Sequence, residues 1–165
     1  MREYQVSVAG LLRGSGQQQA FEIVSALEDL YVTSSKVDAD QPVAVDGEVE
    51  AAGEGLLVSV KVRTRFHGEC VRCLEPVSGD LEVEARELFR EGETTEETYG
   101  FNGEVVDLSE LIHDQVVMTL PAVPLCRPEC LGLCQRCGKN LNLGPCGCDL
   151  ESGDPRWAGL DQPGS

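Results

Sequence analysis

The sequence predicts an α+β domain: an antiparallel β-sheet, one main capped helix over about residues 108–120, and a Cys-rich, zinc-knuckle-like segment towards the C-terminus. Three observations carry this reading. Val58, Val60, Val62, Thr64 and Phe66 alternate with Ser59, Lys61, Arg63, Arg65 and His67, the period of two of a strand with one apolar and one basic face. Asp107-Leu108-Ser109-Glu110 has the Asp-x-x-Glu form of a capping box and opens a run with Leu108, Leu111, Ile112, Val116 and Thr119/Leu120 at helical spacing. Eight cysteines fall into four short pairs.

In chain order, Ala20 to Tyr31 fits a helix through Phe21, Val24, Leu27, Leu30 and Tyr31, and equally two short strands. From Pro42 the pattern is β: Val43 and Val45, then Asp46-Gly47 as a turn, then Val49. Leu81, Val83 and Ala85 alternate with Glu82, Glu84 and Arg86, so with residues 58–67 they form a hairpin. Its connection holds Cys70-Val71-Arg72-Cys73 and the turn formers of Glu75 to Gly79. Residues 91–104, acidic and Gly-containing, read as a loop. Pro121 ends the helix. Asp154-Pro155-Arg156-Trp157 reads as an N-cap, a first-turn Pro and a short helix docking through Trp157 and Leu160. The expected organisation is a core domain over 1–125, a Cys-rich metal-binding segment of the same domain over 126–150, and a tail over 151–165.

The 165 residues carry a formal net charge of −16, with 29 Asp and Glu against 13 Lys and Arg. Affinity for a polyphosphate comes chiefly from Lys and Arg displacing counterions, so this balance argues against an ordinary nucleic-acid binder. No stretch approaches a membrane span, and Val6 to Leu12 lacks a basic leader and a small-residue cleavage site. A reducing, cytoplasmic location is therefore expected, where eight thiols read as metal ligands or redox groups rather than disulfides.

The pairs are Cys70/Cys73, Cys126/Cys130, Cys134/Cys137 and Cys146/Cys148. A closed zinc site takes four thiolates, and short pairs supply two from one turn, so four pairs can make two sites with none left over, and one or two structural zinc ions are expected. Spacing does not fix which pairs share a metal; the most local grouping joins 134 and 137 to 146 and 148. Gly138 after Cys137 lets the backbone fold back towards the sulfurs, whereas Leu74 holds the corresponding position after Cys73. The competing chemistry is a thiol redox or metal-handling protein using the CxxC pairs. His67 is a candidate replacement ligand for which eight cysteines leave no vacancy, and His113 has no catalytic companion nearby in sequence.

The basic residues concentrate around the cysteines. Residues 61–72 hold Lys61, Arg63, Arg65 and Arg72 against Glu69, a net +3, and these four are the candidate RNA or partner contacts. Two other readings compete: cross-strand pairing with Glu82 and Glu84, and compensation of the charge of a four-thiolate zinc site.

Gly68-Glu69-Cys70-Val71-Arg72-Cys73-Leu74-Glu75-Pro76-Val77, Asp107-Leu108, Leu120-Pro121, Pro124-Leu125-Cys126 and the run from Cys130 to Asn142 together resemble the YceD family of bacterial and plastid proteins, as does Asp154-Pro155-Arg156. The resemblance implies a cytoplasmic, non-enzymatic factor needed for accumulation, processing or stability of large-subunit ribosomal RNA. It also implies an α+β fold dominated by an antiparallel sheet. The partner it suggests is that RNA or its precursor, contacted directly or indirectly; the acidic balance of the chain favours a basic ribosomal protein or a processing enzyme over bare RNA, and no small-molecule substrate is evident.

Overall fold

The computed structural model describes residues 3–11, 18–53, 55–92, 94–95 and 98–148. Among these residues eight strands and one α-helix follow in order: β1 Gln5–Ser7, β2 Gln18–Ala26, β3 Ser35–Lys36, β4 Pro42–Ala52, β5 Gly55–Glu69, β6 Pro76–Glu91, β7 Tyr99–Phe101, β8 Val105–Asp107 and α1 Ser109–Thr119. The main sheet runs β2-β4-β5-β6-β7, with β3 added beside β5, while β1 and β8 pair separately. Every pairing is antiparallel except β6 with β7, which is parallel.

β5 and β6 are the long central hairpin that the two alternations predict, in register from Gly55 opposite Arg90 to Glu69 opposite Pro76. Because opposite residues share a face, Val45, Val62 and Val83 form one row of the inner face and Asp46, Lys61 and Glu84 one row of the outer. The inner face buries Val43, Val45, Val49, Leu56, Val58, Val60, Val62, Leu81 and Phe89, and α1 packs there through Leu111, Ile112 and Val116. β1 and β8 complete the same core with Val6 and Val106. Each such side chain contributes about 1.5–3 kcal/mol on burial. Among the described residues no helix is long and apolar enough to cross a membrane.

Several local expectations give way to tertiary contacts. Of the two readings left open for Ala20 to Tyr31, the strand holds for Phe21 to Val24, which lie in β2 and pair with β4, and the helix does not form. Asp46-Gly47 is not a turn but the middle of β4. Glycine stands there because a Cβ would come within 2.5 Å of the Phe21 ring and of the Ser59 carbonyl, so Phe21 crosses the bare backbone. Pro76 to Gly79 extend β6 rather than the turn. The 91–104 segment contains β7, whose Tyr99 stacks on Phe89 with ring centroids 5.2 Å apart and whose Phe101 is buried. At the start of α1 the N-cap falls on Leu108 without a side-chain bond, and the Asp107 carboxylate accepts the Ser109 N–H at 3.0 Å in place of the expected box. Thr119 leaves the apolar stripe and donates its hydroxyl to the Gln115 carbonyl at 2.8 Å. The helix expected near Trp157 lies outside the described residues.

Candidate metal centre

The β5–β6 hairpin projects its connection, Cys70 to Glu75, beyond the last paired residues, Glu69 and Pro76. The Cys70 N–H donates to the Glu75 carbonyl and the Leu74 N–H to the Cys70 carbonyl, both at 2.8 Å, so the loop closes into a knuckle. The same knuckle recurs 64 residues later. There Leu133 bridges to Asn140, the Cys134 N–H donates to the Lys139 carbonyl at 2.8 Å and the Gly138 N–H to the Cys134 carbonyl at 2.9 Å.

Each knuckle meets a second pair. Cys70 and Cys73 lie with Cys126 and Cys130, and Cys134 and Cys137 with Cys146 and Cys148; within each group the sulfurs are all within 4.8 Å of one another. A tetrahedron with metal–sulfur bonds of about 2.3 Å has an edge of about 3.8 Å. Cys70 Sγ lies 3.8 Å from Cys130 Sγ, and Cys73 Sγ 3.6 Å from Cys126 Sγ, so these two edges of the first group match that tetrahedron.

The segment after α1 reaches the first knuckle along a defined path. The buried Ser35 hydroxyl donates to the Pro121 carbonyl at 2.8 Å, the Val71 N–H to the Pro124 carbonyl at 3.1 Å, and the Leu133 N–H to the Arg72 carbonyl at 3.0 Å. Cys70, Cys73 and Cys130 are buried against Val77, Leu125 and Leu133. In the second group Cys134 is buried and Cys137 exposed.

Thiol acidity is divided within each group. The Cys126 N–H draws the Cys70 thiol down to about 6 against its burial, with the Cys73 and Arg72 N–H groups adding to the pull. Cys126, exposed as a residue, is pushed up to about 12 by desolvation at its sulfur and by the thiols of Cys130, Cys73 and Cys70. The Asn142 amide lowers Cys130. Cys134 is drawn down to about 6 by the N–H groups of Cys137 and Arg136, and Cys148 pushed up to about 12 by the Cys137 and Cys146 thiols. Four thiols this close cannot all ionise unaided; a dication in their midst removes the conflict.

Three of the four basic candidates lie on one strand and the fourth in the hairpin connection. Lys61, Arg63 and Arg65 share the outer face of β5, but Lys61 contacts Glu82 at 2.7 Å and Glu84 at 3.1 Å, Arg63 pairs with Asp46, and Arg65 lies 4.0 Å from Asp80. Arg72 sits in the first knuckle and donates to the carbonyls of Pro128 at 3.2 Å and Cys130 at 3.0 Å. His67 faces Asp38 at 3.6 Å and His113 faces Asp114 at 3.3 Å, and neither belongs to a cysteine group. Sequence reasoning missed Asn142. Asparagine just after a knuckle reads only as a turn former, and nothing local says that its amide meets a sulfur 12 residues earlier.

The described residues make a sheet-dominated protein with one α-helix and two four-cysteine groups. Residues 58–162 match the sequence model of the family described as Large ribosomal RNA subunit accumulation protein YceD, and the chain belongs to that family. It is 42% identical over 131 residues to an uncharacterized protein of Mycobacterium tuberculosis, covering 75% of this chain and 63% of that one. To an uncharacterized protein of Mycobacterium leprae it is 36% identical over 126 residues, 72% and 58% of the two chains. A shorter match, 34% over 55 residues, covers 33% of this chain and 17% of the Arabidopsis thaliana protein named Large ribosomal RNA subunit accumulation protein YCED homolog 1, chloroplastic. The chain thus spans less than two thirds of the length of these relatives. No solved structure matches it.

Proposed function

We propose that the chain is a non-enzymatic, cytoplasmic factor that supports the synthesis, processing or stability of large-subunit ribosomal RNA, with one structural zinc in each four-cysteine group. Membership of a family named for large ribosomal RNA subunit accumulation carries the process. The sulfur spacing supports the metal: Cys70, Cys73, Cys126 and Cys130 would hold one ion and Cys134, Cys137, Cys146 and Cys148 the other. Zinc there cross-links chain that has little apolar core of its own, since the buried residues described in 126–148 are Cys130, Gly132 and Cys134. The Cys-rich segment is thus a metal-folded extension of the core domain.

The charge distribution supports a basic protein partner, ribosomal or processing, through which RNA is reached. Lys61, Arg63 and Arg65 are already engaged by carboxylates. Filling both groups would deepen the net charge from −16 to about −20. Two measurements test this. Metal analysis with thiol titration should find two zincs per chain and no reactive dithiol; a free, oxidisable Cys70/Cys73 pair would replace the reading with thiol chemistry. Mild cross-linking and pull-down should recover large-subunit proteins together with precursor RNA, and recovery of neither would sink it.

A further inference from the structure

We propose that the second four-cysteine group governs metal retention at the first, and that Asn142 is the positioning residue that couples them. This inference rests on the zinc reading above and adds to it that the two sites are not independent.

Asn142 follows the second knuckle directly, in the 3-10 turn Leu141–Leu143. Its side-chain amide nitrogen donates to the Sγ of Cys130, a member of the first group, at 3.3 Å. The same nitrogen donates to Asn140 Oδ1 at 2.8 Å, so the amide is oriented by its neighbour. Its oxygen accepts the Leu131 N–H at 2.9 Å and Arg127 Nη2 at 2.8 Å, both on the chain between the two ligands Cys126 and Cys130. Asn140 extends the connection: its amide donates to Glu75 Oε1 at 3.3 Å, and the Glu75 carbonyl closes the first knuckle. Residues placed by the second knuckle therefore hold both halves of the first site.

The physical consequence follows from thiolate chemistry. A hydrogen bond to a metal-bound thiolate disperses charge that the ion does not fully neutralise and fixes the sulfur's direction. The donor reaches Cys130 only while the turn after Gly138 holds its place, and the second group closes that turn, with Lys139 Nζ donating to the Pro145 carbonyl at 2.7 Å beside Cys146. Metal at the second group keeps Asn142 in position; its loss frees the segment and withdraws the hydrogen bond from the first. Linkage makes the effect reciprocal.

The experiment uses the full chain with Co2+ as probe, titrated against a chelating indicator. Cys70→Ser/Cys73→Ser and Cys146→Ser/Cys148→Ser each leave one group to be measured alone. In the chain with both groups intact, where the two single-group variants assign the two binding steps, Asn142→Ala should weaken the first site by about 10- to 100-fold, the range for removing a hydrogen-bond partner of a metal ligand. It should also move the sulfur-to-cobalt charge-transfer band to lower energy and leave the second site unchanged in Cys70→Ser/Cys73→Ser. Disabling the second group should weaken the first by a similar factor, after which Asn142→Ala adds little. Asn142→Asp, which keeps the acceptor oxygen but loses the donor, should weaken the first site at least as much, with the sheet's circular dichroism unchanged. Two ions binding with no mutual effect, or additive losses from Asn142→Ala and the second-group variant, overturn the coupling while leaving the zinc reading intact. A chain that binds no ion at either group overturns both.

Discussion

Leu74 and Gly138 occupy the same position in two copies of one knuckle, with φ of 60° and 71° and with their N–H groups closing onto Cys70 and Cys134. Glycine takes that left-handed conformation freely, whereas a side chain is strained there. Leu74 is 59% exposed, so the strain is offset by little burial. Leu74→Gly should therefore stabilise the chain by about 0.5–1 kcal/mol, and Gly138→Ala should destabilise it by about 1 kcal/mol. Denaturant unfolding of the metal-loaded protein measures both; a loss of stability in Leu74→Gly would contradict the strain.

Tyr4 bridges layers that are distant in sequence. Its hydroxyl donates to the Ser25 carbonyl at 2.7 Å and lies 3.3 Å from the Val43 carbonyl, and the residue is 1% exposed. Burial and then Glu3 push its phenol up to about 12. The folded value exceeds the unfolded one of about 10, so the neutral phenol's contribution is complete below pH 10 and is lost as pH rises to about 12. Tyr4→Phe should cost about 1 kcal/mol at neutral pH and flatten that alkaline loss. Tyr99, also raised by burial and by Asp114, leaves part of the loss in place. Melting curves at pH 7, 10 and 11 decide the matter; an unchanged alkaline slope would show that Tyr4 is not its source.

The basic stripe on β5 is neutralised from both sides, by Asp46 on β4 and by Asp80, Glu82 and Glu84 on β6. Lys61→Ala/Arg63→Ala/Arg65→Ala should therefore barely change the salt at which the protein elutes from immobilised RNA. Asp46→Asn/Glu82→Gln/Glu84→Gln should raise it by exposing the three cations. Loss of RNA retention in the triple alanine variant would instead make the stripe an RNA contact.

Chelation should act on one part of the molecule. Stripping metal should open Arg136 and Lys139 to trypsin, because few side chains around them are buried. Arg63 and Arg86, within paired strands, should stay protected and the β-sheet circular dichroism should persist. Simultaneous cleavage at both sets of sites would mean that the sheet needs metal as well.

Features with a local cause were legible in the sequence. A half-buried strand must alternate and an amphipathic helix must repeat every three to four residues, so β5, β6 and α1 appear in the pattern. Four short cysteine pairs can build two four-thiolate groups, and the sulfurs lie in the groups that the most local arrangement gives. Features that depend on distant neighbours were not legible. Asp46-Gly47 has the chemistry of a turn, but the Phe21 ring requires that bare backbone inside a strand. β1 meets β8 through Gln5 opposite Asp107, a pairing that no local pattern announces.

The central hairpin, the helix and the cysteine inventory follow from the order of residues alone, because periodicity and ligand count are properties of neighbouring residues. The pairing of Lys61, Arg63 and Arg65 with carboxylates, the glycine-like conformation of Leu74 and the reach of Asn142 to Cys130 emerge only in the folded chain. Each of these depends on a strand register or a chain crossing, which is set by packing the whole core and not by the residues alongside.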